Sequence, residues 1–128
     1  MSTVTRRVLV VDDSPTMRSV VRAALEDAFD VDVYESNNGF EALKALPETE
    51  PLALIVTDIN MPEINGLELL NFVRANERYK SVPVVIVSTE NQSRDRQRGM
   101  ALGASGYLVK PFEPSALVDM CRPWLSSE

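Results

Sequence analysis

Short apolar runs that alternate with stretches of helical periodicity constrain this chain more than any other feature. Val8-Leu9-Val10-Val11, Leu52-Ala53-Leu54-Ile55-Val56-Thr57, Val84-Val85-Ile86-Val87 and Tyr107-Leu108-Val109 are each too short for a helix and too uniformly apolar for a sheet with one wet face. Between them, residues repeat at helical spacing. The pattern is that of βαβ units around a parallel sheet covered on both faces. Five strands are expected, at about Arg7–Val11, Val31–Glu35, Leu52–Thr57, Val82–Val87 and Gly106–Val109.

Five helices are expected between and after them. Ser14 reads as an N-cap with Pro15 at the first helical position, followed by Met17, Val20, Val21, Ala24, Leu25 and Ala28 on one face. Asn37-Asn38-Gly39 opens a second helix through Leu46, stopped by Pro47. A third starts near Asn65-Gly66 and carries Leu67, Leu70 and Val73. The fourth, Asn91 to Leu102, is polar all round and weakly anchored. The fifth starts at Pro114, with Leu117, Met120, Cys121, Trp124 and Leu125 inward. Pro123 is expected to kink or end it.

Polar residues stand directly after four of the strands. Asp12-Asp13 comes after the first, Asp58 after the third, Ser88 after the fourth and Lys110 after the fifth. In an open α/β sheet these C-terminal strand ends share one ligand-binding edge. Carboxylates are costly to bury without partners, and a hard divalent cation relieves their repulsion. The set therefore suits a metal and a phosphoryl group.

Composition narrows the class. A net charge of -6 and a pI of about 4.7 argue against a nucleic-acid surface. No apolar run is long enough to cross a bilayer, and residues 1–7 lack a signal-peptide core. The single cysteine, Cys121, cannot close an internal disulfide, so a cytoplasmic location is expected. There is no histidine. The usual general base, the commonest zinc ligand and an internal phosphohistidine are all excluded.

Asp12-Asp13, Asp58-Ile59-Asn60-Met61-Pro62, Ser88-Thr89-Glu90 and Gly103-Ala104-Ser105-Gly106-Tyr107-Leu108-Val109-Lys110-Pro111-Phe112 together resemble the receiver domain of two-component response regulators. The resemblance spans about Arg7 to Leu125. It implies that residues 1–128 form one receiver domain of the CheY type with no output domain. The implied fold is flavodoxin-like, a doubly wound five-stranded parallel sheet of order 2-1-3-4-5 with five helices.

The same resemblance implies roles. Asp58 is the phosphoacceptor, with Lys110, Ser88, Asp12 and Asp13 completing the catalytic set. Mg²⁺ is held by Asp13, Asp58 and the Asn60 backbone carbonyl, with Asp12 acting through water. Lys110 pairs with Asp58 before transfer and with a phosphoryl oxygen afterwards, aided by a cis Lys110–Pro111 peptide. Ser88 and Tyr107 form the switch, with Tyr107 moving inward as Ser88 shifts toward the phosphate. Asn60 and Glu90 tune dephosphorylation.

The expected function is a phosphorylation-activated signalling switch rather than a turnover enzyme. A histidine kinase or phosphotransfer protein supplies the phosphoryl group. An output protein reads the surface of the fourth helix, fifth strand and fifth helix, with chemotaxis the expected pathway; a phosphate sink or relay shuttle is the alternative. The chain is expected to be monomeric, with neither nucleic acid nor membrane as partner. Phosphatases of the haloacid-dehalogenase type share the Asp, Ser/Thr, Lys and Mg²⁺ set. They need a second aspartate two residues after the nucleophile, where this chain has Asn60.

Overall fold

The computed structural model describes residues 5–89 and 93–126. Five strands, β1 (Arg6–Val11), β2 (Val31–Ser36), β3 (Leu52–Thr57), β4 (Val84–Ser88) and β5 (Gly106–Val109), form one parallel sheet of order β2-β1-β3-β4-β5. Five helices alternate with them: α1 (Pro15–Ala28), α2 (Gly39–Thr49), α3 (Gly66–Ala75), α4 (Ser93–Ala101) and α5 (Pro114–Leu125). The fold class and strand order are those expected.

Residue alternation along each strand divides the interior into two cores. Leu9, Val11, Ile55, Val84 and Ile86 face α2 and α3, meeting Ala42, Leu46, Leu67, Leu70 and Val73. Val8, Val10, Leu54, Val56, Val85 and Val87 face α1 and α5, meeting Val21, Leu25, Leu117, Cys121 and Leu125. The strands β1, β3 and β4 are buried on both faces, which is why they read as unbroken apolar runs. Cys121 is one of these packing residues; burial pushes its thiol up to about 12, leaving little thiolate.

Helix boundaries follow the capping chemistry. Ser14 accepts the Met17 amide, Asn38 accepts the Glu41 amide, and Asn65 and Glu68 make a reciprocal capping box. Several expectations are corrected. Helix α2 runs past Pro47 to Thr49, and α5 passes Pro123 to Leu125. Both prolines sit on the exposed side of a last turn. Burial of Leu46, Thr49 and Leu125 outweighs one lost amide bond there, and the Thr49 hydroxyl adds a bond to the Ala45 carbonyl. Val20 and Ala28 lie at the rim of the α1 stripe and are exposed. Strand β4 starts at Val84, because the Val82 amide closes a turn on Tyr79.

Helix α4 has little apolar surface, as expected, and Gly99 is its buried residue among those described. A Cβ on Gly99 would lie 3.0 Å from Ile86 Cδ1 and 3.8 Å from the Tyr107 ring. The absent side chain lets the backbone of α4 approach β4 and β5 closely. A glycine that weakens the isolated helix thus enables its packing.

One polar side chain ties the end of α4 to the rest. Arg74 on α3 donates to the carbonyls of Val82 at 2.6 Å, Gly103 at 2.9 Å and Lys80 at 3.1 Å. Its stem packs on Gly103, whose φ of 103° suits glycine alone. Replacing Arg74 by Met keeps the stem and removes every donor. Arg74→Met is expected to cost about 2 kcal/mol in urea unfolding, since charged hydrogen bonds contribute more than neutral ones. Stability unchanged by this variant would show the clamp to be dispensable.

Candidate functional site

The C-terminal ends of β1, β3, β4 and β5 bring the expected residues to one edge. Asp58 follows β3 and is buried, with 8% of its surface exposed. Its own amide donates to Val11 at 3.0 Å, which extends the pairing of β3 with β1 by one residue. One carboxylate oxygen accepts the Ile59 amide at 2.8 Å. Asp12 is also buried, and its Oδ1 accepts the Ser14 amide at 2.9 Å. Asp13 is exposed. Carboxylate oxygens of Asp12, Asp13 and Asp58 lie within 4.8 Å of one another. Three carboxylates at this spacing offer an all-oxygen donor set, which fits a hard divalent cation.

Lys110 reaches into this cluster, and Lys110–Pro111 is cis. The lysine Nζ is 2.9 Å from Asp12 Oδ2 and 3.6 Å from Asp58 Oδ2. The expected partner was Asp58, yet the hydrogen bond goes to Asp12 while Asp58 takes the longer ion pair. The ammonium thus stands between the two buried carboxylates. Its backbone amide donates to the Ser88 carbonyl at 2.8 Å, tying the end of β5 to the end of β4.

Ser88 is fully buried at the end of β4. Tyr107 occupies an inward position, 6% exposed in the core between the sheet, α3 and α4. Asn60 is exposed on the loop after Asp58. Glu90 lies outside the described residues.

Electrostatics make Asp58 distinct. Burial raises its pKa above the usual aspartate value. Lys110 opposes the rise, the Asp12 charge adds to it, and the Ile59 and Asn60 amides oppose it again. The net effect of the fold is to penalise the ionised carboxylate, which is what an approaching cation would relieve.

Two contributions to the site were not legible in the sequence. A Cβ on Gly66 would sit 2.0 Å from the Asp58 carbonyl oxygen, so α3 starts directly against the backbone of Asp58. The Gly66 amide donates to the Ile59 carbonyl at 2.9 Å and closes the loop. The sequence marks Gly66 only as a helix start. The other contribution is Arg18, whose guanidinium donates to the Asp12 carbonyl at 2.6 Å. In the sequence it is one of several polar residues on α1.

Comparison with known proteins identifies relatives of the chain. Residues 8–122 match the profile of the response regulator receiver domain. The Chemotaxis protein CheY homolog of Campylobacter jejuni is 40% identical over 113 residues, covering 88% of this chain and 87% of that protein. Chemotaxis protein CheY1 of Helicobacter pylori is 39% identical over 113 residues, covering 88% and 91%. The crystal structure of chemotaxis protein CheY4 of Vibrio cholerae superposes with a TM-score of 0.86 at 36% identity, covering 95% of this chain and 100% of that one.

The raised Asp58 pKa fixes the sign of a stability effect. Below the unfolded aspartate value of about 3.9 the group is neutral in both states and costs nothing. As pH rises through the higher folded pKa, ionisation of Asp58 takes stability away. Asp58→Asn is therefore expected to be more stable than the parent chain at pH 7, with the gap closing below about pH 4. Urea unfolding at both pH values measures it. A variant less stable at pH 7 would contradict the assigned cause.

Proposed function

We propose a function from one premise: the chain belongs to the response regulator receiver domain family. It works as a phosphorylation-driven signalling switch, with Asp58 as the acceptor. The observation that carries this reading is the placement of one ammonium and three carboxylates at the edge where Asp58 emerges.

The donor is a phosphohistidine on a partner protein, because this chain has no histidine. The N–P bond of the donor breaks as a P–O bond forms to an Asp58 carboxylate oxygen, and the histidine nitrogen takes back the electron pair. Mg²⁺ held by Asp13, Asp58 and the Asn60 carbonyl would supply neutralisation of the phosphoryl oxygens. Asp12 fits a water-mediated role, since its two oxygens are engaged by the Ser14 amide and Lys110. The rest of the work is positioning. The Ile59 amide orients the acceptor, and the Lys110 ammonium is close enough to exchange a carboxylate partner for a phosphoryl oxygen.

The acyl phosphate adds about 1.5 to 2 negative charges to a site already rich in carboxylates. Lys110 and Ser88 follow it. Tyr107 moves between its buried position and an outward one, and α4, packed through Gly99, adjusts. An output protein reads α4, β5 and α5. The pathway is chemotaxis, a reading supported by the names of the matched relatives.

Acetyl phosphate with Mg²⁺ is expected to add one phosphoryl group, labile to hydroxylamine, and Asp58→Asn to abolish the label. Full labelling of that variant would move the chemistry to another residue, with Ser88 and Thr89 the first to examine.

Lys110→Arg tests the mobile charge. A planar guanidinium is larger and differently directed than an ammonium. The variant is expected to take up label yet show a reduced change in α4 amide exchange on treatment with beryllofluoride. A parental response in the labelled variant would overturn the role given to Lys110.

A further inference from the structure

We propose that Arg18 is a positioning residue for the cation site: anchored on Glu35, its guanidinium fixes the peptide plane between Asp12 and Asp13 and so aims the Asp13 carboxylate. The inference rests on the cation reading of the Asp12, Asp13 and Asp58 cluster.

The three carboxylates are held differently. Asp12 accepts from Ser14 and Lys110, and Asp58 accepts from Ile59 and lies beside Lys110. Asp13 has no hydrogen bond or ion pair to its side chain among the described residues. Its direction is therefore set by its backbone. The carbonyl of Asp12 and the amide of Asp13 share one rigid plane, so holding the carbonyl orients the next residue. Arg18 Nη1 holds that carbonyl at 2.6 Å.

Arg18 is itself held. Its Nε donates to Glu35 Oε1 at 2.9 Å, and its Nη1 also reaches Asn37 Oδ1 at 3.1 Å. The other Glu35 oxygen pairs with Arg22, which donates in turn to the Val33 carbonyl at 3.0 Å. The Arg18 side chain is only 16% exposed. One guanidinium thus bridges the β1–α1 turn to the end of β2 and the start of α2. A lysine offers a single point of charge and cannot hold the Asp12 carbonyl and the Glu35 carboxylate in the same fixed geometry.

A merely structural ion pair would contribute to stability and leave cation affinity alone. Binding of Mn²⁺, followed by loss of the free-ion paramagnetic resonance signal in the folded protein, separates the two. Mg²⁺ competition checks the site. Arg18→Met is expected to weaken Mn²⁺ about tenfold, in line with groups that orient metal ligands. Arg18→Lys should recover part of the loss, Glu35→Gln should weaken binding less, and Arg122→Met on the outer face of α5 should change nothing.

The decisive comparison is a double-mutant cycle. If Arg18 acts through Asp13, then adding Arg18→Met to Asp13→Asn costs little further affinity. A single Arg18→Met variant that is folded and binds Mn²⁺ like the parent overturns the inference. So does a full additive loss on the Asp13→Asn background. A parent chain that does not bind Mn²⁺ at all would instead overturn the cation reading, and this inference with it.

Discussion

Two buried carboxylates, Asp12 and Asp58, share one ammonium, and the arrangement of the C-terminal sheet edge follows from that constraint. Ionised carboxylates so close together in a desolvated site repel one another. Lys110 stands between them, at 2.9 Å from Asp12 and 3.6 Å from Asp58. Bringing it there requires β5 beside β4, β4 beside β3 and β3 beside β1, so the charge cluster and the strand order are one fact seen twice. One cation against a cluster of three acids leaves the site short of positive charge. A divalent ion would offset that shortage.

Rigidity and looseness are divided along the same edge. The loop after Asp58 is tight: Gly66 lies against the Asp58 carbonyl, and its amide closes on Ile59. The Asp12–Asp13 turn is bound by Ser14 and Arg18. Helix α4 is different. It buries Gly99 against Ile86 and Tyr107, and just beyond its C-terminal end Gly103 is held by Arg74. Few apolar contacts hold it among the described residues, and one end is firmly tied.

The sequence showed elements well wherever local chemistry and burial agreed. The N-caps at Ser14 and Asn65 stand where they were expected. Disagreement came at Pro47 and Pro123, where a local stop signal met buried neighbours and lost. It came again at Val20, which has the right spacing for the inner stripe of α1 but lies at its rim. Periodicity gives an angle around a helix axis; it does not say how wide the covering neighbour is.

What the sequence determined by itself was the set of strand ends. Apolar runs buried on both faces leave their polar successors only the sheet edge to occupy, so Asp12, Asp13, Asp58 and Ser88 had to gather there, and Lys110 joins them from the end of the parallel neighbour β5. Tertiary structure decided how they are paired and held. Lys110 prefers Asp12 to Asp58, Gly66 leaves room for the Asp58 backbone, and Arg18 on α1 bridges the Asp12 carbonyl and Glu35. These choices depend on distances of a few tenths of an ångström between residues far apart in the chain. Composition, spacing and periodicity carry no record of such distances, because they describe neighbours along the chain and not across the fold.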